Sequence, residues 1–261
     1  MPKIKINNIK INYKIFGEEN HETILFIHGL GSSFIDWEKQ IPFFEKNYKL
    51  IIPDLRNHGN SDKSDEVSVE ILANDLLELL DKLKISHVNI VGLSLGGMVA
   101  FQMAVSSPRL LEKLIIVNAI PKFSLISIKE KFLFYSRIAI LQIFGIRILA
   151  KFLAKKLFPK KIQEKLRQKF FKRFQKNDKK SYYNILKSLL NFNVEDKLDK
   201  IESQTLFVSS NHDYFSLAKK RNYVKKIKNA KLIVVADSYH ALPAEKPEEF
   251  NEIISQFIDG R

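Results

Sequence analysis

Apolar residues along the chain fall into two kinds of run. Short continuous runs of strand length recur at Thr23 to Ile27, Lys49 to Ile52, His87 to Val91, Leu111 to Val117, Thr205 to Val208 and Lys231 to Val235. Between most of them the period becomes helical: in Val69 to Leu83, the residues Ile71, Leu72, Leu76, Leu79, Leu80 and Leu83 share one face. Strands that are apolar throughout must be covered on both sides, so their alternation with helices predicts a parallel sheet flanked by helices, an α/β fold. Ahead of the first run, Met1 to Phe16 alternates Lys and Asn with Ile and Phe and predicts a strand pair. It shows none of the basic start, apolar run and small-residue cleavage site of a secretion signal.

The alternation stops near Pro121 and resumes near Glu202. The segment between has no strand-like run and predicts helices at Ser124 to Leu157, Lys160 to Gln175 and Lys179 to Leu190, broken around Phe158-Pro159 and Asn177-Asp178. The expected organisation is a core built from residues 1–120 and 202–261, with an all-helical insertion at 121–201 after the sixth strand. The most apolar stretch, Phe132 to Leu153, is interrupted by Arg137, Arg147 and Lys151, which argues against a membrane-spanning helix.

Charge divides the chain along the same boundary. Of a net +14, the segment Lys122 to Lys200 carries 21 Lys and Arg against 6 Asp and Glu, while the remainder has 22 basic and 23 acidic residues. Phe170, Phe171 and Phe174 interleave with the lysines, the pattern of a packed amphipathic helix and not of a disordered tract. Cysteine is absent, which excludes disulfides, thiolate metal sites and a cysteine nucleophile, and with no secretion signal points to a cytoplasmic setting. No His or acidic pair has zinc spacing, and the glycines of residues 28–33 match neither Gly-x-Gly-x-x-Gly nor a Walker pattern, so neither metal nor cofactor is expected.

The sharpest local signal is Gly92-Leu93-Ser94-Leu95-Gly96, directly after the run His87 to Val91 and directly before a helical pattern from Gly97 to Ser106. Composition alone would produce roughly 0.02 matches to Gly-x-Ser-x-Gly in a chain of this length. In so tight a strand-to-helix turn, glycines at both ends avoid clashes with neighbouring backbone, and the serine is presented at the carboxyl edge of the sheet. A serine nucleophile needs a base, and the base needs an orienting group. Of the six histidines, His21 and His87 lie near turns before strands, and His28 and His58 sit in turns where they tie down loops. His240 follows the last strand and precedes the terminal helix, on a loop at the same edge as Ser94. Asp213 lies beyond Thr205 to Val208, again at a strand's carboxyl end, whereas Asp196 and Asp199 precede that strand. The candidate triad is therefore Ser94, Asp213 and His240. The oxyanion of a tetrahedral intermediate needs two donors, expected to be the backbone N–H groups of Leu95 and, from the loop His28-Gly29-Leu30-Gly31-Ser32-Ser33, of Leu30.

With these segments in place, the sequence resembles the α/β-hydrolase superfamily. The resemblance rests on residues 28–33, Trp37 with Gln40-Ile41-Pro42, the run Asp54 to Asp62, Gly92 to Met98, and His240 with Glu245-Lys246-Pro247, in that order over about 1–120 and 202–261. It implies that the insertion is a cap over the active site and governs substrate choice. Relatives with an Asp nucleophile, the haloalkane dehalogenases and epoxide hydrolases, are disfavoured by Ser94. The expected activity is hydrolysis of a carboxylic ester or thioester; enol-lactonase, C–C hydrolase, and cofactor-free perhydrolase or lyase chemistry on the same fold remain open. A non-catalytic binding module would not need all three triad residues. The basic insertion suggests an anionic partner: an acyl-carrier-linked ester, as for the biotin-pathway methyl esterases, an acidic carrier protein, or an anionic membrane surface. A merely solvated lysine-rich surface is the alternative. Nucleic acid is not an expected partner, because the lysine-rich helices carry no recognised binding motif.

Overall fold

The computed structural model describes residues 3–125 and 127–260; the ends of the expected strand pair at Met1 and Pro2, Ile126 within the first expected insertion helix, Arg261 and the Lys129 side chain lie outside the description. The strands are β1 (Lys3–Ile6), β2 (Ile9–Phe16), β3 (Thr23–Ile27), β4 (Lys49–Pro53), β5 (Val88–Leu93), β6 (Leu111–Val117), β7 (Gln204–Ser210) and β8 (Ala230–Val235). The helices are α1 (Ile41–Phe44), α2 (Val69–Lys82), α3 (Leu95–Ser106), α4 (Ile128–Leu157), α5 (Glu164–Phe174), α6 (Lys179–Ser188), α7 (Leu217–Val224), α8 (Leu242–Glu245) and α9 (Pro247–Ile258).

One eight-stranded sheet runs in the order β1-β2-β4-β3-β5-β6-β7-β8. β1 and β2 form an antiparallel hairpin that turns at Asn7 (φ +50°), and β2 pairs antiparallel to β4; every later pairing is parallel. The unbroken apolar strands follow from this, because alternate side chains enter two different cores. Leu25 and Ile27 of β3 join the face covered by Leu72 and Leu76 of α2 and Val99 and Phe101 of α3. Ile24 and Phe26 point the other way, to Trp37, Phe44 of α1 and Phe250 and Ile254 of α9. The strand ends that matter for chemistry, those of β3, β5, β6, β7 and β8, consequently lie along one edge.

Between β6 and β7, which are neighbours in the sheet, the chain leaves for α4, α5 and α6. Its two ends are tied together where it leaves and returns: Phe123 N–H donates to Phe192 O at 3.0 Å and Val194 N–H to Pro121 O at 2.9 Å, flanking a bridge between Lys122 and Asn193. The insertion sits on the loop after β3. Phe174 and Tyr182 pack against Gly31, where a Cβ would lie 2.5 Å from Phe174 Cε2, and Asn177 Nδ2 donates to Gly31 O at 2.7 Å.

One expectation for the insertion changes. The helix expected to run unbroken from Ser124 to Leu157 begins at Ile128, behind a capping box of Ser127 and Glu130, and breaks at Gly145 (φ +77°, ψ 177°). Periodicity continues through that glycine, so the pattern did not signal the break. Glu130–Leu157 is long and apolar enough to cross a membrane by length and composition alone. The break at Gly145 divides it into two arms, and Leu141, Leu149 and Ala150 pack into the core, so it lies along the protein.

Candidate active site

Ser94 occupies the single residue between β5 and α3, with φ +55° and ψ −112°. A side chain rarely adopts this backbone, and holding it there costs on the order of 1–3 kcal/mol. The surroundings leave no alternative. A Cβ on Gly92 would lie 2.3 Å from Gly96 O, and one on Gly96 would lie 2.1 Å from Ile27 O, so the turn closes only with glycine on both sides. Ser94 N–H donates to Val117 O at 2.9 Å, which locks the turn to the next strand.

The structure brings Ser94, His240 and Asp213 together in one hydrogen-bonded chain. Ser94 Oγ stands 2.9 Å from His240 Nε2, and His240 Nδ1 is hydrogen-bonded to Asp213 Oδ1. His240 is buried, and the Tyr214 ring stacks on it with centroids 4.3 Å apart. Donation from Nδ1 to the carboxylate leaves Nε2 as the acceptor facing the serine, the tautomer a general base requires. His212, next in sequence to Asp213, is turned away and stacks on Tyr239.

Behind Asp213 stand two residues that sequence reasoning missed. Lys220, on α7 and 1% exposed, donates to Asp213 Oδ2 at 2.5 Å, to Ser209 Oγ at 2.6 Å and to Asn118 Oδ1 at 3.3 Å. Burial alone would push the Asp213 carboxyl up, but His240 and Lys220 beside it outweigh that and hold it below its ordinary value. Burial likewise lowers Lys220, with Asp213 opposing the shift. Asn118, just after β6, ties the acid loop to the base loop: its side chain accepts from Ser210 N–H at 2.8 Å and donates to His240 O at 3.0 Å. In sequence Lys220 lies in Lys219-Lys220-Arg221, which reads as a solvated face; Asn118 gives only the hint of a polar residue after a buried strand.

The loop after β3 approaches the serine from the other side. A Cβ on Gly29 would lie 3.6 Å from Ser94 Cβ, and Leu30 and Leu95 both line the cavity in front of Ser94. Leu95 is the first residue of α3, where helical N–H groups have no partner within the helix. His28, as expected, fastens this loop: its Nδ1 lies 2.8 Å from Gly29 O and its Nε2 accepts Leu55 N–H at 3.0 Å. His58 packs against it, with ring centroids 4.9 Å apart, and is pushed down to about 3 by burial and by His28. His58 is therefore a neutral structural group.

The cavity has a volume of about 220 Å³. Most of its wall is apolar, with Met98, Phe134, Leu153, Phe174 and Phe215 among the contributors, and much of that wall comes from the insertion. Arg137 of α4 also lines it. The guanidinium donates to the Tyr182 hydroxyl and lies over that ring at 5.2 Å, while its Nε is enclosed without an acceptor. Burial pushes it down to about 10, so it remains cationic at neutral pH. No carboxylate pairs with it among the described residues. Nor do those residues contain a cluster of three His, Asp or Glu able to hold a metal.

A sheet of this topology, with a strained serine at a strand-to-helix turn and acid and base on the loops after later strands, defines an α/β hydrolase. The family model for the alpha/beta hydrolase fold matches residues 22–247, and the chain belongs to that family. It is similar to epoxide hydrolase 4 of Mus musculus, 30% identical over 119 residues; that match covers 44% of this chain and 33% of the relative, so the likeness spans a third of the relative's length. The solved enol-lactonase of Burkholderia xenovorans LB400 superimposes with a TM-score of 0.91 at 23% identity, covering 99% of this chain and 100% of that one. An esterase of Exiguobacterium antarcticum does so with a TM-score of 0.90 at 22% identity, covering 98% of each.

Proposed function

We propose that the protein is a serine hydrolase that cleaves a carboxylic ester or thioester through an acyl-enzyme on Ser94. The observation that carries this is the hydrogen-bonded chain from Ser94 Oγ through His240 to Asp213 at the floor of an apolar cavity. His240 Nε2 takes the serine proton as Oγ attacks the carbonyl carbon, and the oxygen that becomes negative is met by the N–H groups of Leu30 and Leu95. His240 then gives its proton to the leaving alcohol or thiol. Water, deprotonated by the same nitrogen, releases the acid and restores Ser94. Asp213 holds the imidazole in the required tautomer and stabilises the imidazolium; Lys220 and Asn118 position that acid. The helical insertion acts as a cap that forms much of the acyl site. No cofactor enters this sequence of steps.

Arg137 favours a second reading of the substrate within the same chemistry. A cation enclosed in the cavity wall without a carboxylate partner matches a substrate that brings its own carboxylate, and hydrolysis of an enol-lactone, the reaction named for the Burkholderia relative, is the leading form of that reading. The acyl-carrier-linked case draws only on the net charge of the cap. Treatment with a fluorophosphonate probe, together with p-nitrophenyl ester turnover over a range of acyl lengths, tests the proposal. Wild type should label and turn over, and Ser94→Ala should do neither, with a loss of at least ~10⁴ in turnover. A wild type that neither labels nor hydrolyses any ester or lactone overturns it.

A further inference from the structure

The outer surface of α4 is built against ordinary practice for a protein surface. Among the described residues, ten of the thirteen large apolar side chains exposed to solvent belong to the insertion. Ile128 is 87% exposed, Phe132 71%, Ile143 71% and Phe144 63%. In the first arm Ile128, Phe132, Tyr135, Ala139 and Ile143 recur at helical spacing and are all exposed, so they form one stripe. The stripe runs to the break at Gly145, where nothing lies within 4 Å of an added Cβ. In the second arm exposed Ile148 and Phe152 alternate with exposed Arg147, Lys151 and Lys155. Only 17% of the most apolar window of this helix is buried, so it is not a core helix.

We propose that this face docks on an anionic lipid bilayer, with α4 lying in the plane of the interface and its apolar stripe among the acyl chains. An apolar stripe flanked by basic residues is the composition of helices that rest at the boundary of headgroups and hydrocarbon. A second copy of the chain is a poor occupant, because it would bring two surfaces of the +15 segment together. An acidic protein would satisfy the lysines and leave the aromatic stripe without purpose. The same helix reaches the catalytic cavity: Leu133 and Phe152 are exposed and also line it, so the apolar face is continuous with the cavity wall. Docking would thus place the acyl site beside the membrane.

The test is flotation of the full chain with vesicles of equal parts phosphatidylcholine and phosphatidylglycerol, and with phosphatidylcholine alone. Wild type should float with the anionic vesicles and far less with the neutral ones. The combined variant Phe132→Ser, Ile143→Ser and Phe144→Ser should bind at least about 100-fold more weakly. Arg147→Gln with Lys151→Gln and Lys155→Gln should lose about fivefold per charge on the anionic vesicles. None of these six side chains lines the cavity, so the circular dichroism melt and the hydrolysis of p-nitrophenyl acetate should match wild type. Ser94→Ala should float like wild type, which separates failure of docking from failure of the hydrolase reading. Should the serine variants misfold, Phe144→Trp serves instead, and its emission should shift to the blue on the anionic vesicles. The proposal is overturned by absence of flotation, by flotation undiminished in folded serine variants, by a Phe144→Trp emission that vesicles do not move, or by a wild-type dimer that those serine substitutions dissociate. Equal capture of an acidic carrier protein by wild type and the serine variant, without vesicle binding, overturns it too.

Discussion

The sheet-bearing core and the helical insertion draw on the same stock of lysine, isoleucine and phenylalanine and use it in opposite ways. In the core the apolar residues vanish into the two faces of the sheet and opposite charges nearly cancel; Phe43, Tyr214 and Val234 are its only large apolar side chains exposed to solvent among the described residues. In the insertion basic residues outnumber acidic ones by 21 to 6, and the apolar residues face both inward, to the cavity, and outward. The difference teaches a division of labour: strand ends hold Ser94, Asp213 and His240 in place, while the helical layer supplies much of the cavity wall and the exposed apolar surface.

That division can be broken or sharpened by substitution. The largest effect should come from the core: His240→Ala removes the base and should lower turnover by about 10⁴ with the melting temperature unchanged, whereas insertion variants should alter substrate preference and not the chemical step. A comparable loss from an exposed lysine of the insertion would end the comparison. Next, Lys220→Met leaves the buried Asp213 carboxylate without its cationic partner, and should cost about 3–5 kcal/mol of stability in thermal or urea unfolding. The conservative Lys220→Arg should recover part of it. Because Lys220 helps to hold the Asp213 carboxyl low, its removal should also move the acid limb of the pH–rate profile to higher pH.

Arg137→Gln should raise KM for a carboxylate-bearing ester or lactone about 10- to 100-fold and leave a neutral ester of equal length unchanged, as measured by steady-state kinetics. A smaller effect concerns His58. Its folded value lies far below its unfolded value, so the stability it contributes is present above about 6.5 and is lost as pH falls toward about 3. The unfolding free energy should drop by on the order of 1 kcal/mol between pH 7 and pH 5.5, a slope that His58→Asn should flatten. Smallest of all, Lys169→Ala breaks an exposed ion pair with Glu38 that links insertion to core, and should change stability by less than about 1 kcal/mol.

The sequence was most informative where local pattern and tertiary role coincide. Strands buried on both faces read as unbroken apolar runs, and β6 has the predicted limits, Leu111 to Val117. Ser94 was legible because glycines at 92 and 96 flank it directly between a strand and a helix, and His240 and Asp213 because each follows a strand on the same edge. Lys220 and Asn118 were not legible, since their neighbours in space come from other elements and a lysine inside Lys219-Lys220-Arg221 carries no mark of burial. The outward stripe of α4 was hidden for the same reason. Helical periodicity reports that faces differ, and says nothing of which face the protein covers.

The closure of the insertion has a consequence for descent. Pro121 and Val194 are hydrogen-bonded to one another, so the intervening residues leave and re-enter the sheet through what is, to the strands, a single tight link. Lengthening or replacing a loop whose ends are already joined adds little closure entropy. The helical block can therefore vary in length and charge while β6 and β7 keep their places in the sheet, so long as a replacement keeps the packing on the Gly31 loop. A lineage built this way can rebuild the wall of its cavity in one recombination event while the sheet beneath, with Ser94, Asp213 and His240, is inherited intact.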